Sequence, residues 1–200
     1  MMPEATTKTS QNKTTPNTPR TQVAIIGGGF GGIAMAIRLL QQGNQDFLIL
    51  EKANEFGGTW RENRYPGAAC DVQSHMYSLS FAPKTDWSKR YAEAPEIFSY
   101  IQSVTQEYNL KQFCRFNCEV LSAKYDEQNC EWKLDLKDQS TLIAQYVIFA
   151  SGPLHVPQIP HIQGIDKFKG KVFHSSQWEH DYSLEGKTVA SIGTGGSAIQ

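Results

Sequence analysis

Two hundred residues leave room for one complete domain, or for one domain and part of a second. With 19 Lys and Arg against 20 Asp and Glu the net charge is −1, which excludes a strongly charged surface built for nucleic acid or an anionic membrane. No apolar run approaches the ~20 residues of a membrane-spanning helix, and no signal-peptide-like stretch is present, so a cytoplasmic protein without a membrane span is expected.

Residues 1–21 are dominated by Thr, Asn, Gln, Lys and Pro. Such a segment buries too little apolar surface to offset its ordering entropy and is expected to be a disordered tail, with structure beginning at Gln22. Val23-Ala24-Ile25-Ile26 is a continuous apolar run, the pattern of a buried parallel strand. Glycines follow, and then Ile33, Ala34, Ile37, Leu39 and Leu40 fall mainly at helical spacing until Gly43 supplies a stop. Phe47-Leu48-Ile49-Leu50 predicts a second buried strand that ends at Glu51, completing a strand–helix–strand unit of about 30 residues.

A long loop rich in Gly, Arg and aromatics comes next, and Pro95 then opens a predicted helix carrying Ile97, Phe98, Ile101, Val104 and Tyr108. Residues 118–125 and 132–136 alternate as antiparallel strands joined by a turn at Glu127-Gln128-Asn129. Tyr146-Val147-Ile148-Phe149-Ala150 predicts a further buried strand, and a connector punctuated by Pro157 and Pro160 leads to a last glycine-terminated strand over residues 188–192. The expected fold class is α/β: a Rossmann-type domain with an antiparallel β-meander insertion, then the first strand of a second Rossmann-type domain. Cys70, Cys114, Cys118 and Cys130 form no C-x-x-C pair, so they are read as buried or idle thiols and no metal site is expected.

Gly27, Gly29 and Gly32 match G-x-G-x-x-G between the first strand and its helix. The first glycine allows a tight turn, the second lets backbone approach a diphosphate, and the third allows the helix to pack closely on the strand. The diphosphate then sits at the helix N-terminus. Glu51 stands about 20 residues further on, at the end of the next strand, where a carboxylate accepts both hydroxyl protons of an unphosphorylated ribose. The bland alternative is a glycine turn with no ligand, which the flanking strand, helix and carboxylate make the weaker reading. Geometry alone does not choose FAD over NAD.

The choice comes from residues 57–71, Gly-Gly-Thr-Trp-Arg-Glu-Asn-Arg-Tyr-Pro-Gly-Ala-Ala-Cys-Asp. This stretch resembles the long fingerprint of Baeyer–Villiger monooxygenases: Gly, any residue, Trp, four residues, an aromatic, Pro-Gly, three residues, Asp. The segment from Cys70 through Met76-Tyr77 to Pro83 is most similar to the branch around 4-hydroxyacetophenone monooxygenase. The resemblance implies FAD as the first cofactor, with Gly27, Gly29, Phe30, Gly31, Gly32, Glu51 and Lys52 contacting it in the first unit. It implies Gly58, Thr59, Trp60 and Asp71 against the flavin, with Tyr77, Val120 and Ala150-Ser151-Gly152 as further contacts. Asp71 is implied to orient a catalytic arginine from beyond residue 200.

Phe168, Gly170, His174, Ser175 and Trp178 are similar to the short fingerprint of the same family, a linker that moves with NADPH. Glu179 departs from it where Pro is usual, and Ser175 stands where Thr is frequent. His174 is read as a coupling residue and not a chemical catalyst, its plain alternative being a structural hydrogen bond. Gly193-Thr194-Gly195-Gly196-Ser197-Ala198 matches G-x-G-x-x-A. It resembles the family's NADPH loop, which with Gln200 and with Ala69, Cys70 and Asp71 makes up the expected NADPH contacts.

The resemblance thus implies residues 22–155 as the N-terminal portion of an FAD domain, 156–186 as the linker and 187–200 as the start of an NADPH domain cut off inside its site. For the intact enzyme it implies that NADPH reduces FAD and that a C4a-peroxyflavin inserts one oxygen of O2 into a ketone to give an ester or lactone. A flavin-containing N- or S-monooxygenase is the enzymatic alternative, and an inactive FAD-binding fragment is the alternative for these 200 residues.

Overall fold

The computed structural model describes residues 18–153 and 155–199. One six-stranded sheet organises the chain. Its strands are β1 (Arg20–Ile26), β2 (Phe47–Leu50), β3 (Cys114–Arg115), β4 (Val120–Asp126), β5 (Glu131–Leu136) and β6 (Thr141–Phe149), in the order β3-β2-β1-β6-β5-β4. The helices are α1 (Phe30–Gln41), α2 (Thr59–Glu62), α3 (Ala94–Glu107) and a single turn, α4 (Gly196–Ile199).

β1 lies between β2 and β6, parallel to both, with Ile25 opposite Ile49 on one side and Ile148 on the other. Side chains on both faces of β1 are buried, Val23 and Ile25 on one and Ala24 on the other, which is why Val23 to Ile26 is apolar without alternation. On one face Val23, Ile25, Phe47 and Ile49 meet Ile33 and Ile37 of α1 and Ile97, Ile101 and Val104 of α3. On the other, Ala24 and Leu50 join Leu134, Leu142 and Ala144 of the meander strands.

Three boundaries differ from the sequence reading, each for a pairing reason. Most of the expected disordered tail, residues 1–17, lies outside the described residues, but its end does not conform: Arg20 and Thr21 belong to β1, paired with Ile143 and Ala144. This follows from the second difference, that β6 starts at Thr141 and not at Tyr146. Its first residues pair antiparallel with β5 (Leu142 opposite Leu134) while its length runs parallel to β1, so the meander extends the main sheet. The third concerns residues 188–192, expected as a strand. They are irregular, with Val189 and Ile192 exposed, because no strand among the described residues offers them a ladder.

Candidate functional site

The carboxyl ends of β1, β2 and β6 converge, which is where ligands bind in open parallel sheets. Gly27 N–H donates to the Leu50 carbonyl at 2.9 Å, and Ala150 N–H donates to the Ile26 carbonyl at 2.9 Å. Gly27 turns the chain there with φ +109°, and a Cβ on it would lie 2.5 Å from the Ala150 carbonyl oxygen. One turn later, a Cβ on Gly32 would stand 1.9 Å from the Gly27 carbonyl oxygen, so only glycine lets α1 seat this close to β1. Gly29 caps α1 without a side-chain hydrogen bond, and no acidic residue sits in the first turn. The helix therefore presents uncompensated N–H groups and the positive end of its dipole.

Glu51 closes one wall. It is 4 % exposed, and its Oε2 accepts the Gly28 N–H at 2.7 Å while Oε1 accepts the Ala53 N–H at 2.9 Å. Arg61 Nη1 lies 3.2 Å from Oε1 and also donates to the Glu55 carbonyl at 2.9 Å; its Nη2 donates to Glu62 at 2.8 Å. Gly28 and Arg61 were not singled out from the sequence. Arg61 and Arg64 stand three apart in the same loop, and burial alone separates them: their side chains are 9 % and 59 % exposed.

The fingerprint loop is bound to this wall by backbone. Gly57 N–H donates to the Gly28 carbonyl at 3.0 Å, and the Gly58 and Gly29 Cα atoms face each other, a Cβ on Gly58 lying 3.0 Å from the Gly29 Cα. At its far end the loop is stitched to the start of α3, through Cys70 N–H to the Ala92 carbonyl at 2.9 Å and Ala94 N–H to the Ala68 carbonyl at 2.8 Å. Trp60 Nε1 donates to the Tyr77 hydroxyl at 3.0 Å, and the Phe30 ring meets Tyr77 edge-on at 5.4 Å. Burial pushes the Tyr77 phenol up, and likewise the Cys70 thiol, so both stay protonated at neutral pH. Burial also pushes up the thiols of Cys114 and Cys118. None of these three is a ready nucleophile.

The structure therefore brings Gly27, Gly29, Phe30, Gly31, Gly32, Glu51, Gly58, Thr59, Trp60, Tyr77 and Ala150 together where the carboxyl ends of β1, β2 and β6 meet the starts of α1 and α2. Lys52 follows Glu51 and lies 3.0 Å from His155 Nδ1. Ser151 and Gly152 follow Ala150 and are exposed, as is Asp71 at the end of the fingerprint. Val120 sits apart from the aromatic wall, packed in the opposite-face cluster with Leu50 and Cys118.

The second set is less assembled. Trp178 packs on the cluster of Tyr65, Ala68 and Ala94, with Phe173 edge-on at 5.1 Å. The Tyr65 hydroxyl donates to Ser197 Oγ at 3.1 Å. His174 Nδ1 accepts the Ser176 N–H at 3.1 Å, the local cap of the short turn Ser175–Gln177. Glu179, the departure from the short fingerprint, pairs with Lys171 at 2.8 Å. Phe168 is exposed and covers Gly170. Gly193, Thr194, Gly195 and Gly196 are exposed, with open space around the last two glycines, and Gln200 lies outside the described residues.

Residues 24–200 match the family described as pyridine nucleotide-disulphide oxidoreductase. A Baeyer–Villiger monooxygenase of Streptomyces coelicolor is 48 % identical over 179 residues, covering 90 % of this chain and 34 % of its own length. One of Pseudomonas aeruginosa is 49 % identical over 179 residues, with the same coverages of 90 % and 34 %. Among solved structures, an oxidized steroid monooxygenase bound to NADP superposes with a TM-score of 0.81 at 37 % identity, covering 90 % of this chain and 36 % of that one. Cyclohexanone monooxygenase bound to ε-caprolactone gives 0.83 at 34 % identity, covering 92 % and 37 %. The chain spans about a third of the length of the curated relatives it matches.

Proposed function

The chain belongs to the pyridine nucleotide-disulphide oxidoreductase family, and on that premise we propose that it is the FAD-binding portion of a cytoplasmic, NADPH-dependent Baeyer–Villiger monooxygenase. The observation that carries this reading is the pair of glycine loops joined backbone to backbone between Glu51 and the Trp60–Tyr77 wall. A cradle with room for backbone but not for a Cβ, with free helix N–H groups at one end and a buried carboxylate beside it, suits a dinucleotide diphosphate and its ribose. FAD, when bound, supplies the redox chemistry: hydride acceptance from a reduced nicotinamide and activation of dioxygen, so that one oxygen atom enters a ketone.

The chain's own residues bind, orient and exclude water. The N-terminus of α1 neutralises the diphosphate, and Glu51 accepts ribose hydroxyl protons. Gly58 lets the fingerprint backbone approach the ring system, while Phe30, Trp60 and Tyr77 keep water from it. Asp71 is a positioning residue whose carboxylate would hold a basic side chain supplied from beyond residue 200. Residues 193–198 carry the second glycine pattern, with Ser197 tied to the Tyr65 hydroxyl, and would hold the diphosphate of NADPH. The relatives named as Baeyer–Villiger monooxygenases favour ketone oxidation over attack on nitrogen or sulfur.

The test is the visible spectrum of the purified chain after incubation with FAD and removal of the unbound fraction. Retained flavin bands are expected in the parent and their loss in Glu51→Ala; a parent chain that retains no flavin would overturn the reading. Substrate class is tested in the full-length protein with NADPH and a cyclic ketone, where lactone formation is expected.

A further inference from the structure

We infer that Arg61 is a positioning residue for the Glu51 carboxylate that takes the ribose, setting the adenosine end and the flavin end of the first site with one side chain. The inference rests on the FAD reading above and assigns a role to a residue at a position the long fingerprint leaves open.

Glu51 is buried, and a buried carboxylate costs several kcal/mol unless it is paired and hydrogen-bonded. Two backbone N–H groups reach it, and Arg61 is the cation paired with it at 3.2 Å among the described residues. The guanidinium does more than balance charge. Its fork spans three acceptors on different pieces of backbone: Glu51 after β2, the Glu55 carbonyl in the following turn, and Glu62 within α2. A planar group with fixed donor directions leaves these acceptors little freedom relative to one another. Thr59 and Trp60 ride on the same single-turn helix, α2, and Trp60 is the residue that reaches Tyr77. Rotating Glu51 away from Gly28 would therefore disturb the aromatic wall, and loosening α2 would disturb Glu51. A second, outer tie runs from Glu62 to Lys52 at 3.7 Å, and Lys52 meets His155 at the root of the connector.

A residue that acts through Glu51 must lose its effect when Glu51 no longer bears a carboxylate. FAD titrations, read by flavin fluorescence, are compared for the parent, Arg61→Met, Arg61→Lys, Glu51→Gln and the double variant, with apo melting curves alongside. Arg61→Met is expected to weaken FAD binding roughly 10- to 100-fold, the range for losing a charged hydrogen bond. Arg61→Lys should recover part of that loss, since it restores the charge but not the fork. The double variant should bind no more weakly than the worse single one. Parent-like affinity in Arg61→Met, or losses that simply add in the double variant, overturns the inference while leaving the FAD reading intact. If Arg61→Met does not fold, the same cycle is run with Arg61→Lys and Glu51→Gln, with the same two outcomes. Failure of the parent itself to bind FAD falls on the earlier reading instead.

Discussion

The chain carries two glycine loops of nearly the same pattern, residues 27–32 and 193–198, and they differ in what packs around them. Around the first, three strand ends converge and a helix of 12 residues follows, so that a Cβ on Gly32 would collide with backbone at 1.9 Å. Around the second, among the described residues, no strand pairs and nothing lies within 4 Å of a Cβ on Gly195 or Gly196. A glycine motif states what a loop permits. Whether the permission is used depends on the sheet that presses the loop into place.

The same methyl group inserted into both loops should separate them most. Gly32→Ala must push α1 off β1, because the atom in the way is a carbonyl oxygen and not the end of a flexible side chain. A loss of about 3 kcal/mol in denaturant unfolding is expected, together with loss of FAD retention. Gly196→Ala meets open space and should stay within about 0.5 kcal/mol of the parent. Equal effects at the two positions would mean that the two loops are packed alike.

A smaller effect tests how the second region is held to the first. Trp178 touches the Tyr65 cluster, and Ser197 is tied to the Tyr65 hydroxyl, so these contacts span from the linker and the second loop to the fingerprint. Trp178→Ala is expected to lower the local opening free energy around residues 174–179 by about 1 kcal/mol, with hydrogen exchange there accelerated and exchange in β1 unchanged. Acceleration in both places would mean that the two regions unfold as one.

The smallest effect lies on the acid side. Ser88 donates to both carboxylate oxygens of Glu96, at 2.7 and 3.0 Å, and this holds the Glu96 carboxyl below its ordinary range, with the Lys84 ammonium at 3.7 Å adding to it. A carboxyl that gives up its proton more readily in the folded chain contributes stability at neutral pH, and that contribution is lost as pH falls through its folded range. Ser88→Ala should therefore lower stability slightly at neutral pH and by a vanishing amount once Glu96 is protonated. Melting temperatures of parent and variant measured from neutral to acidic pH should converge. A constant gap would assign the effect to packing instead of the carboxylate.

Much of this was legible in the linear sequence. Apolar runs located β1 and β2, alternation located β4 and β5, and Pro95 marked the opening of α3. The glycine spacing and Glu51 located the first site, and the run from Gly57 to Asp71 linked it to a family of flavin enzymes. These signals are local: each arises from a turn, a period or a spacing that a few consecutive residues specify.

What the tertiary structure decided is long-range. β1 begins at Arg20 because β6, more than a hundred residues later, begins early enough to pair with it. Residues 188–192 have the composition of a strand but no ladder, and a strand cannot satisfy its own backbone. Arg61 resembles Arg64 on paper, and it is the packing of α2 against α3 that buries one against Glu51 and leaves the other in solvent. Propensity and motif are properties of neighbours in sequence, whereas burial and pairing belong to residues that meet only after the chain has folded.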